Sequence, residues 1–184
     1  VIRLVTPGTL TEDMLLESRT SNYISALALN RGTQEMALAW ADISSGEFSV
    51  LLTDSKRLAA ELARLEPREI VFSDSLRSDK AIEGVLEASG IPLSPQPASR
   101  FDSTSAEKRL REHFGVLAFD GFGAFSRAET ASLGGLLDYI LLTQVGKIPH
   151  LRIPRKEDGQ AGLQIDAATR ANLELSRKLS GERE

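Results

Sequence analysis

Three carboxylates sit where an α/β sheet could put them to work: Asp42, Glu61 and Asp74. Metal-assisted phosphodiester cleavage needs several such acids gathered around two Mg²⁺ ions, each held on a rigid element. Histidine is scarce, and His113 and His150 lie on separate predicted elements. A nucleophilic triad would also need a partnered serine and a carboxylate, and no GxSxG turn is present. The ordinary alternatives are a surface helix position for His113 and a loop position for His150. Cysteine is absent, which excludes thiolate nucleophiles, thiolate metal sites and disulfides. Gly121 and Gly123 do not complete a GxGxxG pattern, and no GxxxxGKS or GxxxxGKT occurs, so nucleotide binding by this chain is not expected.

The totals narrow the class. At 184 residues and 41% apolar, the chain can bury one ordinary core with some material to spare. Net charge is −4 and the basic residues are spread out, so no block is built to grip a phosphate backbone. No apolar run reaches the ~18 residues of a membrane span, and Val1–Val5 lacks the parts of a signal peptide. A cytoplasmic setting fits. The start at Val1 and the end at Glu184 suggest a piece of a longer protein.

The elements that must position these residues follow from periodicity. Val1–Val5 reads as a short strand, and Thr9 with Glu12 forms a capping box for a helix over Leu10–Glu17. Three strands follow over 22–30, 35–43 and 47–53, with links short enough for an antiparallel meander. The spacing Leu58, Leu62, Leu65 is helical and is stopped by Pro67. A strand at Glu69–Ser73, a helix over about 80–89 and a strand at Ile91–Leu93 continue the order. Pro92, Pro95 and Pro97 read as a stiff connector. Ser103–Phe114 is a charged amphipathic helix. Ser126 and Glu129 make a second capping box, opening a largely buried helix to about Val145. Gly134 and Gly135 weaken that helix unless close packing needs them. Residues 149–154 are extended, 155–162 are a polar loop, and Asp166 caps a last helix whose apolar face is Ala168, Ala171, Leu175 and Leu179.

Three antiparallel strands followed by α-β-α-β match a ribonuclease H-like mixed sheet flanked by helices, here with a C-terminal helical extension. Active nucleases of that fold carry an acid midway along the first strand. Here that strand is NYISALALN, without Asp or Glu. A ribonuclease H-like metal-dependent nuclease is therefore the disfavoured alternative, and Asp42 reads as a strand end and Glu61 as a solvent-facing helix residue. A small-ligand sensor is a third reading, for which no convergent polar set is evident.

Four stretches carry a family resemblance: IRLVTPGTL near the start, DISSGEF at 42–48, GFG at 121–123 and LQIDAATRANLEL at 163–175. In this order and spacing they resemble the bacterial DNA mismatch repair family MutS, from the end of its mismatch-recognition domain through its connector to the start of its core or lever domain. The resemblance implies a connector fold of ribonuclease H type without the nuclease acids. It implies a module that links mismatch-recognition, core and ATPase domains, relays the nucleotide state and docks MutL. It implies a dimeric parent that binds mismatched duplex DNA and hydrolyses ATP with Mg²⁺, using parts outside this chain. On that basis residues 1–20 link from the mismatch-recognition domain, 21–120 form the connector, 121–154 complete it, and 155–184 begin the core domain. No catalytic, metal or cofactor residues are expected within the chain, and the piece alone is expected to be a monomer with no membrane role. The family's MutL contact includes the helix matching 105–114. Where relatives carry adjacent glutamines this chain has Lys108 and Arg109, so Lys108, Arg109 and Glu112 are the expected docking rim.

Overall fold

The computed structural model describes residues 22–118, 121, 123–144 and 150–158. The expected helices at 10–17 and from Asp166 onward, and the strand at 1–5, lie outside them. The first three strands form the expected meander: β1 (Tyr23–Asn30), β2 (Glu35–Asp42) and β3 (Phe48–Thr53), antiparallel throughout. Helix α1 (Leu58–Leu65) then crosses to β4 (Glu69–Ser73), which lies parallel to β1. Helix α2 (Lys80–Ala88) leads to β5 (Leu93–Gln96), and α3 (Ser103–Phe114) and α4 (Arg127–Thr143) follow. A last strand, β6 (Arg155–Glu157), closes a six-stranded sheet of order β5-β4-β1-β2-β3-β6. This is the ribonuclease H-like arrangement that the strand order predicts.

Strand periodicity builds a core on each side of the sheet. Ile24 and Ala26 of β1, Ala37, Ala39 and Ala41 of β2, and Phe48 and Val50 of β3 face α4 and the end of α3. Leu27, Met36, Leu38, Trp40 and Leu51 point the other way, toward α1 and α2. The alanines on the first face leave room for a helix of high bulk. That helix is α4, whose Leu133, Leu136, Leu137 and Ile140 are fully buried.

Caps set the helix ends. In α4 the Ser126 side chain accepts from the Glu129 amide, while the Glu129 carboxylate accepts from the Ser126 amide, so the predicted capping box is formed. The Asp79 and Asp102 side chains accept from first-turn amides of α2 and α3. Helix α1 ends on Glu66 in the left-handed region, just before Pro67.

Two readings need correction. The proline-rich stretch is not simply a connector: Leu93–Gln96 pairs in parallel with β4 and contains Pro95. Proline is tolerated there because β5 is an edge strand, where a missing N–H breaks no ladder to a further neighbour. Arg155–Glu157, expected as polar loop, pairs in parallel with β3. Its three charged side chains carry no strand-like alternation of polarity, so only the exposed edge of β3 specifies the strand.

Candidate functional site

The three carboxylates weighed for metal chemistry are dispersed by the sheet. Asp42 ends β2 opposite Tyr23, whereas Asp74 follows β4 at the opposite end of the sheet. Glu61 sits on α1 and accepts from Arg64 Nε at 2.9 Å. The centre of β1 is Ala26 and Leu27, both alkyl, and the preceding Ser25 donates to the backbone carbonyl of Glu69. Among the described residues, no three His, Asp or Glu side chains stand together as a cation would require. A groove between α1 and α2 is lined by Ala59, Leu62, Ala63, Val85 and Ile91, and its polar lining residues are Glu66 and Ser89.

The residues Asp42–Phe48 do structural work that accounts for each type. Asp42 Oδ1 accepts from the Ser44 amide at 2.8 Å and the Ser44 hydroxyl at 2.5 Å, closing an Asx turn. Its backbone N–H donates to Glu47 O, and the Gly46 N–H donates to Asp42 O. Ile43 enters the α4-side core. Gly46 has φ +77°, and a Cβ there would stand 2.2 Å from the His150 carbonyl oxygen, so only glycine fits. The Glu47 carboxylate accepts from Tyr23 Oη at 2.9 Å and Trp40 Nε1 at 3.4 Å, tying the turn to β1 and β2. Phe48 stacks on Phe114 at the end of α3, ring centroids 6.2 Å apart.

Helix α3 carries the expected docking residues, and the structure separates them. Lys108 and Glu112 pair across one helical turn at 3.8 Å, with 77% and 66% of their side chains exposed. Arg109 points elsewhere: its guanidinium donates to the Arg100 carbonyl at 2.5 Å, and its Nε is buried without a hydrogen-bond partner. Arg100 in turn pairs with Asp138 of α4. Arg109 thus fastens α3 to the 3-10 turn that precedes it. Beyond the helix, Gly115 turns left-handed and Leu117, 92% exposed, stands at the edge of an open hollow that it lines with Lys108, Arg111, Glu112 and Val116. Sequence reasoning missed Leu117. A single leucine in an aperiodic loop has no partner position to reveal which way it faces.

His150 lies exposed in the expected loop position, whereas His113 is less exposed than expected. His113 is half-buried, meets Phe114 edge-on with centroids 4.8 Å apart, and lies close enough to His150 for their charges to interact. Burial, and then His150, hold the His113 imidazole below its ordinary range. Burial alone would raise the Asp42 carboxyl, but the hydrogen bonds from Ser44 and Ser45 outweigh it and leave it below the usual value. Both shifts mean that the unfolded chain binds more protons on acidification. Stability is then full above the unfolded values, near 6.5 for histidine and 3.9 for aspartate, and falls as pH drops through the folded ones. Glu157, raised chiefly by burial, works in the opposite sense and loses its contribution as pH rises. We expect urea midpoints to fall between about pH 7 and 5, and the His113→Asn variant to flatten that limb. A slope unchanged in this variant would remove His113 as its source.

The comparisons with known proteins accord with this architecture. MutS domain II matches residues 22–152. The chain is 49% identical over 183 residues to the DNA mismatch repair protein MutS of Roseobacter denitrificans, covering 100% of this chain and 20% of that protein. It is 50% identical, with the same coverage, to the protein of that name from Ruegeria sp.. The chain therefore spans about a fifth of the length of the curated relatives it matches.

Proposed function

Because this chain belongs to the MutS family of DNA mismatch repair proteins, whose domain II it carries, we propose that it is the non-catalytic connector of such a protein. In this reading residues 1–20 arrive from a mismatch-recognition domain, the sheet and its helices join that domain to core and ATPase domains, and residues 155–184 begin the core, their first three residues pairing with β3 as β6. The longer protein binds mismatched duplex DNA and, with Mg²⁺, ATP through parts outside these residues, works as a dimer in the cytoplasm, and uses the connector to relay its nucleotide state. The piece alone is a monomer.

The connector also docks MutL through the end of α3. The exposed Leu117 beside the Lys108–Glu112 pair carries this reading: an apolar side chain next to exposed charges of α3 has the anatomy of an interface core with part of its rim. Arg109 supports the surface from behind, while Lys108 and Glu112 tune encounter. Rim charges act on association rate and salt dependence, whereas a central apolar anchor acts on dissociation. With MutL immobilised and this chain in solution, Leu117→Asp is expected to weaken capture at least ~10-fold, the scale of a hot-spot loss. Lys108→Glu is expected to change mainly the salt dependence of the on-rate. Native capture by Leu117→Asp, with Lys108→Glu unchanged across salt, would rule out this face.

A further inference from the structure

Residues 150–158 run back across the edge of the sheet and are held in an unusual way. Their seat is a backbone hydrogen bond: Arg152 N–H donates to the Gly46 carbonyl at 2.8 Å, and the absent Cβ of Gly46 leaves room for His150 O. Only Leu151 and Pro154 are buried. Then come the three residues of β6, all charged, registered on Ser49, Val50 and Leu51 of β3. Alternation along the strand sends neighbouring side chains to opposite faces of the sheet. Lys156 turns toward α4, where its Nζ reaches Glu129 Oε2 at 2.9 Å and Ala124 O at 3.2 Å. Glu157 turns toward α1, where Arg64 Nη2 lies 3.5 Å away and the guanidinium also covers the Trp40 ring.

We propose that residues 150–158 form a releasable strap, fastened by charge on both faces of the sheet edge, which leaves β3 without unfolding the other five strands. The inner strands are held by alkyl cores on both faces, whereas β6 buries almost no apolar surface. Segments with few buried apolar neighbours open at lower free energy than the core they lie on. The Arg64–Glu157 pair, 45% and 42% exposed, weakens as salt screens it, whereas the Lys156–Glu129 pair, with Glu129 fully buried, is screened less. At one end His150 lies within electrostatic reach of His113 at the end of α3. At the other it continues into the chain beyond Asp158. Its release loosens the tether between this domain and whatever follows.

Hydrogen exchange followed by NMR on the whole chain tests this. The Arg152 amide and the protected amides of 155–157 are expected to exchange about 5-fold faster as salt rises from about 0.05 to 1 M, while the β1–β2 ladder is unchanged. Gly46→Ala attacks the seat without touching a charge, and is expected to speed strap exchange at least ~10-fold with the β1–β2 ladder still protected. If that variant does not fold, the salt series on the native chain decides. Strap amides that exchange at the rate of the β2 amides, with the same denaturant dependence and no response to salt, would overturn the proposal.

Discussion

Gly134→Ala is expected to destabilise the chain by about 2–3 kcal/mol or to prevent folding, although alanine is the better helix former. A Cβ at Gly134 would stand 2.3 Å from Ala106 Cβ and 2.6 Å from Ala106 Cα, so the neighbouring helix itself would have to move. That movement is resisted on both sides. Helix α3 is tied back by Arg109 to the Arg100 carbonyl, and α4 is packed against the sheet through Leu133, Leu136 and Leu137. Ala106→Gly in the same chain removes the nearer clash and leaves the one with the α3 backbone, so it should restore only part of the loss. Gly84 supplies the opposite case within one protein. It lies inside α2, and a Cβ there meets nothing within 4 Å. Gly84→Ala is expected to stabilise by about 0.4–1 kcal/mol, through lower entropy of the unfolded chain. Urea denaturation of both variants checks the pair, and a shift of the same sign in both would defeat the packing account of Gly134.

Lys156→Met is the second large effect. Glu129 is 0% exposed, its Oε2 serves both the Ser126 amide and Lys156, and its Oε1 has no partner. Removing the ammonium leaves a buried carboxylate with only its cap bond. Breaking a buried ion pair from one side costs ~3–5 kcal/mol, and the lower end applies here because water reaches the 36%-exposed Lys156 side chain. Adding Glu129→Gln to Lys156→Met removes the stranded charge, so the double variant should recover most of the stability. Denaturation midpoints of the single and double variants measure this. A double variant no better than the single would mean that Lys156 acts through strand pairing and not through Glu129.

Much of the architecture was legible in the chain. The meander is written in the run 22–30, apolar on both faces, and in the period-two spacing of Met36, Leu38 and Trp40 and of Phe48, Val50 and Leu52, because a pleat sends neighbouring residues to opposite faces. Helices α1 and α3 and the Ser126–Glu129 cap were readable because a 3.6-residue period and capping chemistry are local properties. The strand at 155–157 was not readable, since three charged residues become a strand only when a free edge is beside them. Pro95 pointed away from a strand for the same reason, its tolerance depending on a place at the sheet edge.

The site divides along the same line. The absence of an acid from β1 and the four stretches IRLVTPGTL, DISSGEF, GFG and LQIDAATRANLEL are facts of residue type; the first disfavours nuclease chemistry, and the four together, in order and spacing, resemble the family. What Asp42, Gly46 and Glu47 are for was decided only by the fold, which brings the turn against Tyr23, Trp40 and the returning His150–Arg152 backbone. The same holds for the proposed docking face. Lys108, Arg109 and Glu112 are equally polar neighbours in sequence, yet a helix turns each residue about 100° from the last. Lys108 and Glu112 therefore share the solvent side, while Arg109 reaches back to the Arg100 carbonyl. Local period and residue type determine the elements. Pairings between residues distant in the chain, which no local pattern encodes, determine which side chains are free to meet a partner.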